Sequence, residues 1–315
     1  MQRAEFIRVL LFLVIVGTIY ALAALYAVRF LLHKFKRSTW ALTRKQRWLR
    51  NGVFALAVAG LLCFAYGYFI EPYWVEITYQ QIPTAKLAAG SRKIRLVHIS
   101  DLHSDPKARL EPKLPDLIAK ESPDLILFTG DALNSTEGLL VFRDCMTKLA
   151  AIAPTFAVRG NWDIAFWGRL NLFEGTGVKE LNREAIPLTI ETLTLWLVGA
   201  GAGDERGLQQ AIQAVPDNAL TVVLYHYPDL IQELAAQNVD LYCAGHTHGG
   251  QIALPFYGAL ITLSKYGKQY EAGLYREKDT RMYVNRGIGM EGGHAPRVRF
   301  CSRPEITVID LIPDQ

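Results

Sequence analysis

The sequence contains few cysteines and little net charge. Its four cysteines are Cys63, Cys145, Cys243 and Cys301, and no two of them form a C-x-x-C pair. This spacing argues against both a disulfide framework and a structural zinc knuckle. The formal net charge is +4 over 315 residues, which gives no reason to expect nucleic acid as a partner. The chain also lacks internal repeats and low-complexity tracts.

Two long apolar runs are present, at residues 9–28 and 53–70. A helix of about 20 apolar residues spans the hydrocarbon core of a bilayer, so each run predicts a transmembrane helix. A cleaved signal peptide is the alternative for the first run, because Ala21-Leu22-Ala23 has the form of a cleavage site. Apolar character resumes after Arg29, which favours an uncleaved helix.

The segment between the two runs is strongly basic. Short loops rich in Lys and Arg stay in the cytoplasm, so this segment predicts a cytoplasmic loop, with both chain ends on the outer face. A solvated linker without topological meaning is the alternative. We therefore expect a transmembrane hairpin over residues 1–72, a juxtamembrane linker over 73–92 and a soluble domain over 93–315. The basic residues are Arg29, Lys34, Lys36, Arg37, Arg44, Lys45, Arg47 and Arg50.

After residue 92 the pattern changes to short β-type runs that alternate with helical stretches. This alternation predicts an α/β fold. The β-type runs lie at 94–99, 125–128, 155–158, 193–198, 221–225 and 239–243, with later ones at 281–284 and 306–309. The helical stretches lie at 112–120, 138–150, 208–215 and 230–236.

Five of these β-type runs are followed directly by side chains that bind metals. Ligand sites in open α/β sheets lie beyond the carboxyl ends of the strands, so these side chains should converge. Two aspartates, one asparagine and four histidines suit manganese, iron or zinc. They exceed the needs of one four-coordinate zinc and predict two divalent ions, about 3.5–4 Å apart in hydrolytic pairs. The seven residues are Asp101, His103, Asp131, Asn161, His226, His246 and His248.

In order and spacing, these residues resemble the five motifs of the calcineurin-like metallophosphoesterases. The resemblance extends over residues 93–311 and implies a two-sheet αβ(βα) sandwich that hydrolyses phosphorus ester or anhydride bonds. It also implies that Asp131, Asn161 and His226 are catalytic, with Asp131 bridging the ions. The motifs read Asp101-Leu102-His103, Gly130-Asp131, Gly160-Asn161, His226 and Gly245-His246-Thr247-His248. By resemblance, one ion is bound by Asp101, His103, Asp131 and His248, and the other by Asp131, Asn161, His226 and His246.

The segments at 245–251 and 285–306 are similar to one bacterial, membrane-linked branch of this family. That branch includes UDP-diacylglucosamine pyrophosphatases of lipid A synthesis. The resemblance implies a multi-pass protein of the bacterial inner membrane that acts on a phosphorylated small molecule or lipid, a phosphodiester or phosphoanhydride. UDP-diacylglucosamine itself is cytoplasmic, which conflicts with the predicted extracytoplasmic domain, so we keep it as an alternative substrate. A metal-binding regulatory protein with weak catalysis is a second alternative.

The sequence departs from the family at Trp162, where a histidine usually contacts the phosphate and protonates the leaving group. An indole cannot act as an acid, and general acid catalysis contributes roughly 10²–10⁴-fold. Phosphoanhydrides and aryl esters should therefore be better substrates than alkyl esters. His294 is a candidate replacement acid; the alternative is an exposed turn histidine.

Arginines cluster near the C-terminal glycine-rich segment, where they can clamp phosphate groups bidentately. A solvated basic edge is the alternative. The predicted substrate contacts are Trp162, Arg286, His294 and Arg297, and Arg299 belongs to the same cluster. The apolar segment 254–263 is expected to pack over the sheet, with contact to lipid or an acyl chain as the alternative.

Overall fold

The computed structural model of the chain describes residues 3–36, 42–293 and 295–314. The candidate acid His294 lies outside the described residues. The helices are α1 (Arg3–Lys36), α2 (Arg44–Phe69), α3 (Leu114–Lys120), α4 (Leu139–Ala150), α5 (Asn161–Trp167), α6 (Glu205–Gln213) and α7 (Ile231–Leu234). The strands are β1 (Glu76–Thr84), β2 (Ile94–Ile99), β3 (Leu125–Phe128), β4 (Thr155–Ala157), β5 (Lys179–Glu180), β6 (Glu184–Ile190), β7 (Leu193–Gly199), β8 (Leu220–Leu224), β9 (Leu241–Ala244), β10 (Ala253–Leu254), β11 (Gly258–Ala259), β12 (Gly273–Glu277), β13 (Thr280–Val284) and β14 (Glu305–Pro313).

The domain is built around two six-stranded sheets. The first sheet has the order β1-β14-β2-β3-β4-β5 and the second has the order β12-β13-β9-β8-β7-β6. Leu96 and Leu127 of the first sheet share one buried cluster with Leu197 and Val222 of the second, so the sheets pack face to face. Helices cover the outer faces, α3 and α4 on the first sheet, α6 and α7 on the second. The expected two-sheet α/β sandwich is confirmed.

Parallel strands at the centre of each sheet place the site. β2, β3 and β4 run parallel, as do β7, β8 and β9. Most residues of these strands are buried, which explains their largely apolar sequences. Because all of them end at the same edge of the sandwich, the polar residues that follow them are brought together.

The strand β1 was not predicted. It pairs in parallel with β14 from Glu76 opposite Glu305 to Thr84 opposite Pro313. The assignment of residues 73–92 to a juxtamembrane linker is therefore corrected, because residues 76–84 form an edge strand of the first sheet. Polar residues interrupt its apolar ones, and one side of this edge strand is partly open to solvent. No continuous apolar run therefore marks it in the sequence.

The helices α1 and α2 pack against each other before the domain begins. Ala23, Val53 and Ala57 form a small buried cluster, and the Tyr20 hydroxyl donates to the carbonyl of Ala57 at 3.0 Å. Two helical segments, Arg3–Phe35 and Arg44–Tyr73, are long and apolar enough to cross a membrane. This hairpin indicates a membrane protein.

Candidate metal centre

All seven predicted ligands lie at the carboxyl edge of the two sheets. The loops after β2, β3 and β4 carry Asp101, His103, Asp131 and Asn161, and the loops after β8 and β9 carry His226, His246 and His248. Five of the seven are almost fully buried, and His246 and Asn161 are half-buried.

The side chains form two clusters of three. In each cluster the ligand atoms lie within 4.8 Å of one another. The first contains Asp101, His103 and His248, and the second contains Asp131, His226 and His246. Each cluster takes residues from both sheets, so an ion bound in either would connect them.

Asp131, a member of the second cluster, also approaches the first. Its Oδ2 is 3.2 Å from His226 Nε2 and 3.7 Å from His103 Nε2. The Asn161 Oδ1 lies 3.0 Å from the same His226 nitrogen. Asp131 thus contacts ligands of both clusters, which is the position required of a bridging carboxylate.

The donor set fits divalent cations. Asp101 Oδ1 and both ring nitrogens of His103 are buried without a hydrogen-bond partner among the residues that the structure describes. Buried polar atoms are rarely left in this state, and a cation would satisfy them. Burial lowers the pKa of His103 to about 4 and that of His246 to about 3. Both rings are therefore neutral, as metal coordination requires.

Charge is distributed unequally between the two aspartates. Burial and the neighbouring Asp131 raise the pKa of Asp101 to about 7, although His226 opposes the shift. For Asp131, burial acts to raise the pKa, but the adjacent His226 outweighs it and lowers the value to about 2. Burial likewise acts to lower the pKa of His226, and Asp131 raises it to about 9. The adjacent Asp131 and His226 thus favour each other's charged forms.

Five of the seven ligands have a positive φ. Non-glycine residues seldom adopt positive φ, and each instance costs roughly 1–3 kcal/mol. The surrounding fold must therefore hold these loops firmly. The ligands with positive φ are Asp101 (51°), His103 (42°), Asp131 (58°), His246 (72°) and His248 (53°).

Asp163 holds two of the ligand loops together, a role that the sequence did not reveal. Its Oδ2 accepts hydrogen bonds from the backbone N–H groups of Asp131 at 2.8 Å and Gly160 at 2.9 Å. Its Oδ1 accepts from Ala132 N–H at 2.9 Å. The signal in the sequence is its place three residues after Gly160, where an acidic residue caps a helix N-terminus.

Two outer contacts fix the orientation of ligand histidines. The His226 Nδ1 lies 2.7 Å from the carbonyl oxygen of Thr129, so its Nε2 faces Asp131. The Nη2 of Arg299 lies 3.4 Å from His248 Nδ1. Such contacts set the tautomer and direction of a metal-binding imidazole.

Arg299 is fully buried rather than part of a solvated basic edge. Its guanidinium donates to the carbonyl oxygens of Gly287 at 3.1 Å and Ser302 at 2.9 Å, and also to that of Gly289. Its charge therefore stabilises the C-terminal loop.

The predicted substrate contacts have different surroundings. Trp162 borders the site, with its ring centroid 5.4 Å from that of His103. Arg286 pairs with Glu76 at 2.8 Å and with Glu305, and Arg297 pairs with Asp105. The charges of both arginines are thus compensated by carboxylates.

Glu291 was missed at the sequence level. It lines the cavity formed by His246 and His248. Burial raises the pKa of Glu291, while a hydrogen bond with the Trp162 side chain opposes the shift. No motif or spacing marks this residue, because the C-terminal loop places it here.

Comparison with known proteins yields consistent matches. Residues 94–250 match the family described as calcineurin-like phosphoesterase. The chain is 33% identical to the uncharacterized metallophosphoesterase YkuE of Bacillus subtilis over 84% of this chain and 97% of that protein. It is 31% identical to phosphodiesterase YaeI of Escherichia coli, over 82% and 96% of the two chains. It is 27% identical to UDP-2,3-diacylglucosamine pyrophosphatase LpxG of Chlamydia trachomatis, over 81% and 94%.

Proposed function

We propose that this chain, which belongs to the calcineurin-like phosphoesterase family, hydrolyses a phosphodiester or phosphoanhydride of a membrane-associated substrate. Membership makes the chain a hydrolase of phosphate esters. The observation that carries the proposal is the pair of three-ligand clusters, with Asp131 of the second close to His103 of the first.

The ligand roles follow from the two clusters. We assign Asp101, His103 and His248 to one ion and His226, His246 and Asn161 to the other, with Asp131 shared. When bound, two divalent cations lower the pKa of a water and polarise phosphoryl oxygens. The mixed oxygen and nitrogen donors favour manganese, iron or zinc.

The remaining groups prepare the site for an anionic substrate. Asn161 is neutral, which limits the negative charge that a phosphate must approach. Asp163 holds the loops of Asp131 and Asn161 in register through their backbone N–H groups. His226 and His248 are oriented by Thr129 and Arg299. Asp163, Thr129 and Arg299 thus preorganise the metal ligands and do not react themselves.

Trp162 restricts the substrate class. The side chain at the position of the family's usual acid cannot donate a proton to a leaving alkoxide. The leaving group of a phosphoanhydride is a weakly basic anion and needs no such proton donor. UDP-2,3-diacylglucosamine, the substrate in the name of the LpxG relative, is therefore the alternative substrate.

The hairpin supports a topology for the membrane region. Glu5, near the start of α1, accepts from Thr262, and Glu71, just after α2, accepts from Cys301 N–H at 3.0 Å. The domain thus contacts the hairpin at the end opposite the basic segment. With that segment in the cytoplasm, the domain lies on the extracytoplasmic face. A C-terminal alkaline phosphatase fusion should be active there; activity only of a cytoplasmic reporter would instead favour UDP-2,3-diacylglucosamine.

The function is tested with the full-length protein in nanodiscs and bis(p-nitrophenyl) phosphate as substrate. Metal-free protein should be inactive, and manganese, iron(II) or zinc should restore turnover. Asp131→Asn should reduce activity to background, because asparagine tolerates positive φ but removes the shared charge. Asp144→Asn is the matched control, because Asp144 is exposed and pairs only with Lys148 among the described residues. Turnover that survives Asp131→Asn would contradict the proposal, and an inactive wild type loaded with metal would favour the regulatory alternative.

A further inference from the structure

An apolar cavity of about 500 Å³ lies directly beside the candidate metal centre. His246 and His248 form one end of it. Its volume falls within the roughly 300–1,000 Å³ of small-molecule sites. The apolar walls come from α1 and from the segment after the last ligand motif: Val9, Phe12, Leu13, Leu260, Ile261 and Leu263.

The first helix is fixed to this wall by a buried carboxylate. Glu5 is only 1% exposed, and its Oε1 accepts from the backbone N–H of Thr262 at 2.9 Å and from its hydroxyl at 3.0 Å. These two hydrogen bonds connect the first turn of α1 to Thr262. Val9 and Leu13, one and two turns further along α1, line the cavity, although Leu13 is also 57% exposed.

The opposite wall is linked to a metal ligand. The Nε2 of His246 lies 3.4 Å from the carbonyl oxygen of Leu263. The same segment contains Thr262, to which Glu5 binds. The helix, the apolar wall and the metal cluster are thus connected by two short contacts.

The cavity adjoins the membrane-facing surface of α1. This helix has 34 residues, a length of about 51 Å at 1.5 Å per residue, whereas the hydrocarbon core is about 30 Å thick. Its first turns can therefore reach the domain while the rest spans the bilayer. Leu10 and Val14, beside the cavity-lining residues, are 50% and 55% exposed and suited to lipid.

We propose that this cavity binds one hydrocarbon chain of the substrate, with the phosphoryl group of the same molecule at the metal centre. This inference rests on the proposed function and specifies its substrate as an amphiphilic phosphodiester or phosphoanhydride. Although Thr247, Gln251 and Glu291 also line the cavity, its apolar residues favour methylene groups. They would leave polar groups of a sugar or nucleotide beside them without hydrogen bonds, which is costly. The helix α1 is then both an anchor and a substrate-binding element.

The test compares p-nitrophenyl methyl phosphate with p-nitrophenyl octyl phosphate, using the metal-loaded full chain in nanodiscs. Both esters release the same phenolate, so only the chain differs. We expect kcat/KM to rise with chain length, by up to about fourfold for each methylene that enters the cavity. Val9→Trp, which fills the cavity, should abolish this preference, so that the two esters react at similar rates in this variant. Leu10→Trp, on the exposed face of the same turn, should retain it.

The outcomes separate the inference from the function. Equal rates for both esters in the wild type would overturn the inference while leaving the hydrolase intact. If neither ester reacts, the proposed function fails. The binding site for the hydrocarbon chain is then tested separately, by photolabelling with an octyl phosphonate that carries a terminal diazirine. Its label should fall within residues 9–13 in the wild type and be lost in Val9→Trp. Labelling elsewhere in both proteins would refute the cavity site.

Discussion

The two ends of the first sheet differ in whether their buried polar and charged groups have partners. At the carboxyl ends of the strands, Asp101 and His103 are buried with polar atoms that lack hydrogen bonds from other described residues. At the other end, Asp310 is bonded to Arg95 Nε at 2.7 Å and to Lys93 at 2.7 Å. Asp124 there pairs with Arg92 and accepts from the backbone N–H of Arg95 at 2.7 Å.

The difference shows how one sheet provides both stability and function. Ion pairs at the amino edge stabilise the fold without a ligand. At the carboxyl edge, positive φ and uncompensated polar atoms cost stability until a cation binds. Changes at the carboxyl edge should therefore alter rates and metal-dependent stability, and changes at the amino edge should alter stability alone.

The largest effect is expected from restoring an acid at the carboxyl edge. We predict that Trp162→His increases kcat/KM for esters with poor leaving groups, within the roughly 10²–10⁴-fold typical of general acids. Aryl methyl phosphates whose phenols differ in acidity measure this effect. The rate should depend steeply on phenol pKa in the wild type and weakly in Trp162→His.

Trp162→Phe is the control for this prediction, because it removes the indole without adding an acid. Its dependence on phenol pKa should match that of the wild type. A shallow dependence in the wild type itself would contradict the prediction and show that another group donates the proton. Glu291, whose pKa is raised by burial, would then be the residue to replace by glutamine.

Metal binding at the carboxyl edge should raise the free energy of unfolding. Each cluster joins residues of both sheets, so bound ions must be released when the sheets separate. A ligand at 100 times its Kd raises the free energy of unfolding by about 2.7 kcal/mol per site. Thermal unfolding with manganese and after chelation measures the shift, which Asp131→Asn should reduce and Asp144→Asn should retain. Equal midpoints with and without metal in the wild type would show that the edge binds no ion.

The sequence predicted those parts of the fold whose signal is local. β2 and β3 have the predicted bounds, because both are short runs rich in apolar residues, although Arg95 and His98 interrupt that of β2. The ligands could be predicted to converge because parallel strands end at one edge. β1 was missed because it is an edge strand with one solvated face, and its partner β14 lies more than 200 residues away.

Other features depend on contacts that no local pattern contains. The role of Asp163 arises from backbone N–H groups around residue 131 as well as from its own helix. Arg299 was read as part of a basic edge or a phosphate clamp, since its burial becomes apparent only when the carbonyls of residues 287–289 surround it. The contact of Glu5 with Thr262 joins opposite ends of the chain.

The smallest effect is expected at the amino edge, from Asp310→Asn. Burial acts to raise the pKa of Asp310, but hydrogen bonds from Arg95 and Lys93 outweigh it and lower the pKa. A lowered pKa stabilises the fold above the unfolded-state value of about 3.9, and this contribution is lost as the pH falls through the folded-state value. Urea unfolding at pH 7 should therefore show that the variant loses on the order of 1 kcal/mol in free energy of unfolding. The difference between variant and wild type should become smaller below about pH 4, while kcat/KM at pH 7 stays unchanged. A loss of activity without a loss of stability would mean that the two ends of the sheet are not separate in function.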